Sequence, residues 1–199
     1  LGDIFSSAKS FPIWNDGESY VMSITAEAQT MFANQNMLDA VGEGIPTTFD
    51  ELLSTGKKLK SGDVAGVAMR SKADGSAGTW PCGGFVFSNG GVVIQDGKCV
   101  LDSAEAIEAV HYYGSILNEA GPLGVGNYHW YECLNDYMQE VCAIGLDSSN
   151  FATDIENPEK SNAAGHTTYG AMVSGPGKQA KPNMWHWMAG INSKSQQKA

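Results

Sequence analysis

The segment IPTTFDELLSTGKKLKSGDVAGVAM, residues 45–69, most constrains the fold, because it predicts an amphipathic helix followed at once by a buried strand. Thr48 and Glu51 have the spacing of a capping box at a helix start, and Gly62 provides a helix stop. Apolar residues recur along one face of this helix: Phe49, Leu52, Leu53 and Leu59. The short apolar run at residues 63–69 then has the composition of a buried strand.

The same alternation of helices and short strands continues to the end of the chain. Residues 104–120 predict a helix that begins after Asp102 or Ser103 and ends at Gly121-Pro122. Upstream, a hairpin is predicted around the turn dipeptide Asp96-Gly97. A further helix and three strands are predicted, in this order, at residues 130–141, 142–147, 167–173 and 185–192. This pattern indicates α/β architecture.

Composition and charge exclude several classes of protein. With 42% hydrophobic and 17% charged residues in 199 positions, the chain can bury a core and is not typical of a disordered protein. The net charge of −10 repels phosphate backbones, so nucleic acid is not an expected partner. No apolar run reaches the roughly 20 residues of a transmembrane helix.

The cysteines leave two alternatives open, and they argue against a metal site. Cys82, Cys99, Cys133 and Cys142 permit two disulfides in three pairings, or they are free and largely buried thiols. No CxxC motif is present. His129 and Cys133 have the i,i+4 spacing of two metal ligands, but no third ligand is close in sequence. We predict no metal and no cofactor.

Aromatic residues occur beside polar ones in positions that are typical of loops. Trp80 follows ADGSAGT, Trp185 and Trp187 flank His186, and the stretch GPLGVGNYHWYE brings Tyr128, Trp130 and Glu132 together at a helix start. An indole face packs against the C–H side of a sugar ring, while carboxylates and amides bind its hydroxyls. Each tryptophan taken alone is better explained as a core residue. For Trp130 the two interpretations are nearly equal, and as a core residue it would anchor its helix.

Paired carboxylates raise an enzymatic alternative. Glu132 and Asp136 share a helix face, and glycosidases use two carboxyl groups, one as acid and one as base or nucleophile. Two acids one turn apart on a helix are more often solvated charges. The sequence assembles no catalytic centre that is more convincing than this pair.

Several segments, taken in order, resemble one family. They are ITAEAQTMFANQNMLDAVG with PTTFDELLSTGKKL, then GTWPCGGFVFSNGG, DSAEAIEAVHYY, NYHWYECLNDYMQEVCAIGLDSSNFATDIENPEKS and NMWHWMAGINSKSQQKA. From about Gly17 to Ala199 the chain resembles the extracellular solute-binding proteins of family 1, the maltose-binding-protein-like sugar and polyol receptors of ABC importers. Two positions depart from the family pattern: Ala33-Asn34 replaces a usual Tyr-Asn, and Glu140-Val141 replaces a common Gly-Lys.

The resemblance implies an α/β, two-lobed periplasmic-binding-protein type II-like fold, of which this chain would be a central part, incomplete at both ends. Residues 1–28 would belong to the first lobe and residues 29–145 to the second. Residues 146–199 would return to the first lobe. The ligand would lie in the cleft between the lobes, which close by a hinge motion.

The resemblance also implies ligand contacts. Glu27 falls where relatives place a crossover carboxylate, Trp80 lies beside a contacting loop, and Trp187, next to Trp185, falls at a position that is often aromatic. Ser148, Asn150 and Phe151 follow the segment predicted as the second crossover. Together with the aromatic stretch, these residues form the predicted ligand-binding site: Glu27, Trp80, Tyr128, Trp130, Glu132, Ser148, Asn150, Phe151, Trp185 and Trp187.

These observations favour a binding protein over an enzyme. It would capture a small carbohydrate or polyol without chemistry and deliver it to a membrane ABC permease, in the periplasm or outside the cell in association with the envelope. We expect a monomer. The alternatives are a carbohydrate-active hydrolase that uses Glu132 or Glu27, and a surface module whose aromatic residues contact a protein partner.

Overall fold

The computed structural model describes residues 6–14, 16–74 and 78–197, and it divides the chain into two compact units. The small unit combines Leu1–Ala28 with Met184–Ala199, and the large unit is Gln29–Asn183. In chain order the helices and strands are α1 Ser6–Ser10, β1 Met22–Asn34, α2 Gln35–Val41, α3 Phe49–Leu59, β2 Ala65–Ala68, α4 Thr79–Ser88, β3 Ile94–Gln95, β4 Lys98–Cys99, α5 Ala104–Ala120, α6 Trp130–Met138, β5 Cys142–Ser148, α7 Ala152–Ile155, β6 Thr167–Gly170 and β7 Met184–Ala189.

In the large unit, β5 lies at the centre of the sheet order β2-β5-β1-β6. It runs parallel to β2 and antiparallel to β1, and every residue of β2 and of β5 is buried. Strands covered on both faces read as continuous apolar runs, which explains why residues 63–69 and 142–147 could be recognised as strands.

Strand β1 directs alternate side chains into two cores. Met31 and Ala33 join the main core, to which helices α3, α4 and α5 also contribute, whereas Phe32 joins a smaller cluster with Leu134 and Tyr137. Phe32 lies opposite Gly145 of β5, and its ring occupies the space that a side chain at Gly145 would need.

The small unit is built on a ribbon of two antiparallel strands. Residues 22–28 of β1 pair with β7, and a register shift falls between Ser23 and Thr25. On one face of the ribbon, His186 is buried and stacks on Phe11 with ring centroids 4.8 Å apart. Period-two alternation therefore leaves the tryptophans on either side of His186 on the opposite, exposed face.

Most of the local predictions are confirmed. Helix α3 has the predicted capping box, in which Thr48 accepts a hydrogen bond from the Glu51 N–H and Glu51 accepts one from the Thr48 N–H. Ser103, not Asp102, caps α5. The hairpin is present, with the two-residue strands β3 and β4 on either side of the turn and with Asp96 and Gly97 at φ values of 51° and 73°, as a type I′ turn requires.

The return to the first lobe at residue 146 stays a prediction. In the structure, residues 146–183 belong to the large unit because of strand pairing and packing. Strand β6 pairs with residues 31–34 of β1, and Phe151, Ile155 and Ala163 pack in the cluster around Phe32. The chain enters the small unit only at Met184. That the two units correspond to the two lobes of the family stays a prediction.

All four cysteines are free thiols, which agrees with the second of the alternatives left open by the sequence. Cys133 and Cys142 are buried, whereas Cys99 is exposed. Within the described ranges, no group of three or more His, Cys, Asp or Glu residues could hold a metal ion. Among the described helices, none combines the length and the apolar character needed to cross a bilayer.

A methyl group at Gly66 should destabilise the fold. The Cβ of Gly66→Ala would lie 1.8 Å from the Gly56 carbonyl oxygen, which is backbone of the packed helix α3 and cannot move aside freely. We expect a loss of about 1–3 kcal/mol in the free energy of unfolding, measured by urea denaturation. Gly114→Ala is the control: nothing lies within 4 Å of its Cβ, so it should stabilise α5 by about 0.5–1 kcal/mol.

Thiol reactivity should follow burial. Burial raises the pKa of the Cys142 thiol to about 12 and raises the pKa of Cys133 and of Cys82, so these groups hold little reactive thiolate at pH 8. Without reductant, we expect the native protein to react quickly with a disulfide reagent at Cys99 alone, and four thiols to react in denaturant. Fewer than four thiols in the denatured protein would contradict the free-thiol state.

Candidate ligand-binding site

The parallel pairing of β2 and β5 brings the carboxyl ends of both strands to one edge of the large unit's sheet. Arg70 follows β2, and Asp147 and Ser148 end β5. In the neighbouring strand β1, Gln29 lies opposite Ser148 and Thr30 opposite Asp147. In α/β folds, ligands bind at the carboxyl ends of the strands. The site residues of the large unit are therefore expected at this edge.

Arg70 and Asp147 form a bidentate ion pair at this edge. Nε of Arg70 donates to Oδ2 of Asp147 over 2.7 Å, and Nη2 donates to Oδ1 over 2.5 Å. The Asp147 side chain is 1% exposed and that of Arg70 is 16% exposed. Oδ1 of Asp147 also accepts the Ser148 N–H at 2.7 Å. The carboxylate is thus fixed from two sides, and the guanidinium is held in one orientation.

Trp80 lies against this ion pair at the start of α4. The guanidinium carbon of Arg70 is 4.9 Å from the centroid of the indole, which is a cation–π contact. The main chain of Trp80 is held by Asn183, whose Nδ2 donates to the Trp80 carbonyl. Gln29 donates to the adjacent Pro81 carbonyl at 3.3 Å. One face of the predicted site residue Trp80 is therefore covered by Arg70.

Trp130 and Phe151 form the aromatic part of the same region. Their ring centroids are 6.0 Å apart, and the Trp130 side chain is among the exposed large apolar groups, at 43%. Phe151 follows Ser148 within one short turn, in which the Ser148 hydroxyl accepts the Asn150 N–H at 3.1 Å. The structure therefore brings four predicted residues together: Trp130, Ser148, Asn150 and Phe151.

Tyr128 and Glu132 have local structural roles. The ring of Tyr128 packs on a cluster that includes Ala65 and Cys142, and its hydroxyl donates to Asp136 at 2.7 Å. Burial, with this hydrogen bond, raises the pKa of Tyr128 well above its usual range. Glu132 accepts the His129 N–H at 2.8 Å as the partner in a capping box of α6. A ligand contact for these two residues stays a prediction.

In the small unit, the predicted residues Glu27, Trp185 and Trp187 share one face of the ribbon. Glu27 lies opposite Trp185, and Nε1 of Trp187 donates to Oε1 of Glu27 at 2.9 Å. The two indole rings are 6.3 Å apart and are 49% and 55% exposed. The hydrogen bond orients an exposed indole next to a carboxylate, which is an arrangement suited to a hydroxylated, partly apolar ligand.

Sequence reasoning missed Arg70, Asp147 and Gln29. A signal was present for Arg70, because it is the single arginine of the sequence and directly follows the apolar run at residues 63–69. Asp147 was counted as the end of a strand, and its pairing with Arg70 depends on a contact between residues 77 positions apart. The register of β1 against β5, which brings Gln29 to the site, cannot be read from either segment alone.

The mixed α/β fold of the chain is similar to that of several solved structures. A D-mannitol-bound solute-binding protein of Agrobacterium vitis S4 has a TM-score of 0.85 at 20% identity, over 92% of this chain and 45% of that one. A ribitol complex from Agrobacterium radiobacter K84 has a TM-score of 0.84 at 23% identity, with coverages of 98% and 50%. Maltose-bound MalE3 of T. maritima has a TM-score of 0.88 at 21% identity, with coverages of 97% and 50%.

The chain belongs to the bacterial extracellular solute-binding proteins, because the sequence profile of that family matches residues 1–199. The chain spans about half the length of the solved structures that it matches. No significant match is found among characterised protein sequences. The family assignment and the mixed α/β fold agree with the resemblance identified in the sequence.

Removing the Glu132 carboxylate should destabilise helix α6. Glu132→Ala deletes the acceptor of the His129 N–H, and the loss of a helix cap costs about 0.5–2 kcal/mol in the free energy of unfolding, measured by urea denaturation. Glu132→Gln is the matched control, since its amide oxygen can accept the same hydrogen bond. Equal loss in both variants would show that the negative charge of Glu132, and not the cap, supplies the stability.

Proposed function

We propose that this chain forms the ligand-binding part of an ABC-importer receptor, which holds a small carbohydrate or polyol between two lobes and releases it unchanged. One observation carries the proposal: in each unit, an exposed indole lies beside oriented polar groups. These are Trp187 beside Glu27 in the small unit, and Trp130 beside the Ser148–Phe151 turn in the large unit. The family assignment supports a binding role.

The chemistry of these groups suits a polyhydroxylated ligand. Indole faces cover C–H surfaces, whereas carboxylates, amides and hydroxyls exchange hydrogen bonds with ligand hydroxyls. The solved structures that share the fold hold D-mannitol, ribitol and maltose. Those ligands support the proposed class without identifying the ligand of this chain.

The proposed contacts are the residues predicted from the sequence, with the additions that the structure suggests. In the small unit they are Glu27, Trp185 and Trp187. In the large unit they are Trp80, Tyr128, Trp130, Glu132, Ser148, Asn150 and Phe151, and we add Arg70 and Gln29. Glu27 and Glu132, the acids of the alternative hydrolase, each accept a hydrogen bond from the protein.

The rest of the proposal follows from the family. Closure of the lobes around the ligand would create the surface that the membrane permease recognises, since the closed state then signals occupancy. A receptor of this kind works outside the cytoplasm, in the periplasm or at the outer surface of the cell envelope. We propose that it acts as a monomer.

Ligand binding should change the intrinsic fluorescence of the protein, expressed at the full length that its gene encodes. We expect at least one compound of a panel containing D-mannitol, ribitol and maltose to give a saturable change and to raise the melting temperature. Trp130→Ala and Trp187→Phe should each weaken binding by about tenfold or more, which corresponds to about 1.4 kcal/mol. Isothermal titration calorimetry provides the dissociation constants.

Trp14→Phe is the control for fluorescence and folding. Trp14 is 61% exposed and is not among the proposed contacts, so its replacement should leave the affinity unchanged. A folded protein that binds no sugar or polyol of a broad panel would contradict the proposed function. Release of reducing ends from an oligosaccharide, abolished by Glu132→Gln or Glu27→Gln, would instead establish the hydrolase.

A further inference from the structure

The two members of the Arg70–Asp147 ion pair differ in their exposure to solvent. Asp147 is almost fully enclosed, and both of its oxygens already accept hydrogen bonds from Arg70 or from the Ser148 N–H. Arg70 retains 16% exposure of its side chain, and its second terminal nitrogen, Nη1, donates to no group within the described part of the chain. Within the pair, the donor that remains available is therefore on the guanidinium.

Two uncharged groups lie close to the pair. The Tyr113 hydroxyl donates a hydrogen bond to the Arg70 carbonyl, and the charges of Arg70 and Asp147 both influence the pKa of the Cys133 thiol. Burial raises the pKa of both groups far above their usual ranges, so neither is ionised at neutral pH. On its other side the guanidinium meets the uncharged indole of Trp80. The net charge of the Arg70–Asp147 pair is zero, because the carboxylate cancels the charge of the guanidinium.

We infer that this pair is the polar anchor of the ligand site in the large unit, and that it selects uncharged ligands. Arg70 would donate from Nη1 to hydroxyl oxygens of a polyol or sugar, while Asp147 cancels the charge that would otherwise attract an anion. The inference rests on the proposed function and adds a specificity: an acyclic or cyclic polyol is bound, and the corresponding aldonate or uronate is rejected.

The guanidinium is suited to this task because its orientation is fixed before the ligand arrives. The fork to Asp147 sets the plane, and the Trp80 indole supports one face. A lysine would offer a flexible point charge without the fork. A preorganised donor loses little conformational entropy on binding, so its hydrogen bond contributes more to the affinity.

Affinities for matched pairs of ligands test the inference on the full-length protein. The pairs are D-mannitol with D-mannonate, D-glucitol with D-gluconate, and D-glucose with D-glucuronate, measured by calorimetry. The wild type should bind the neutral member of a pair at least tenfold more tightly. Asp147→Asn keeps the shape of the side chain but removes its charge, so the ratio of anionic to neutral dissociation constants should fall by about tenfold or more.

A double variant covers the case in which Asp147→Asn does not fold. Replacing both members, as Arg70→Met with Asp147→Leu, leaves no buried charge unpaired, and such replacements of buried ion pairs are often neutral for stability. We expect it to melt near the wild type. It should bind the neutral ligand about 10- to 100-fold more weakly, the range for loss of a hydrogen bond to a charged group.

The outcomes separate the two proposals. If the wild type binds no neutral sugar or polyol, the proposed function fails. If the wild type binds a neutral ligand but the folded double variant binds it equally well, the pair is only a structural link between β2 and β5, and the inference is overturned. Equal wild-type affinity for both members of each pair, or an unchanged ratio in a folded Asp147→Asn protein, also overturns it.

Discussion

The parallel pairing of β2 with β5 determines what the large unit can present to a ligand. Both strands are buried on both faces, so their register is held by packing as well as by backbone hydrogen bonds. Because the strands run in the same direction, the residues that follow them meet at one edge. Arg70 and Asp147, which are 77 positions apart in the sequence, are brought together in this way. The indole of Trp80 then packs against the planar guanidinium of Arg70.

The sequence predicted those features that depend on neighbouring residues. The capping box of α3, the helix at residues 104–120 and the turn at Asp96-Gly97 are local, and the structure has them all. The point where the chain leaves the large unit was not local. It depends on β6 pairing with β1 and on Phe151 packing against Phe32, contacts that join distant segments. The Arg70–Asp147 pair was missed for the same reason, since only the sheet brings these residues together.

Most of the predicted site residues fall into three groups in the structure. Glu27, Trp130, Trp185 and Trp187 present aromatic or carboxylate surface that remains accessible to some degree, whereas the ring of Phe151 is buried. Ser148 and Asn150 shape a turn, and their backbone geometry positions the neighbouring ring. Tyr128 and Glu132 hold helix α6 in place. The aromatic stretch at residues 128–132 thus combines a helix start with one exposed indole. For this reason, composition alone could not show which of its aromatic residues pack in the protein and which are accessible to a ligand.

The contact between Phe32 and Gly145 helps to fix the register of β1 against β5 at this edge of the sheet. The phenyl ring of Phe32 fills the space above Gly145, the only residue of β5 that lacks a side chain. The packing of the two strands therefore depends on their register. Sliding β5 by two positions would force the side chain of Ala143 or of Asp147 into the ring, and sliding it by one would exchange the side chains between its two buried faces. This aromatic contact, two positions along the strands from the Thr30–Asp147 pair, therefore helps to fix the alignment of Asp147 with Thr30, and of Ser148 with Gln29.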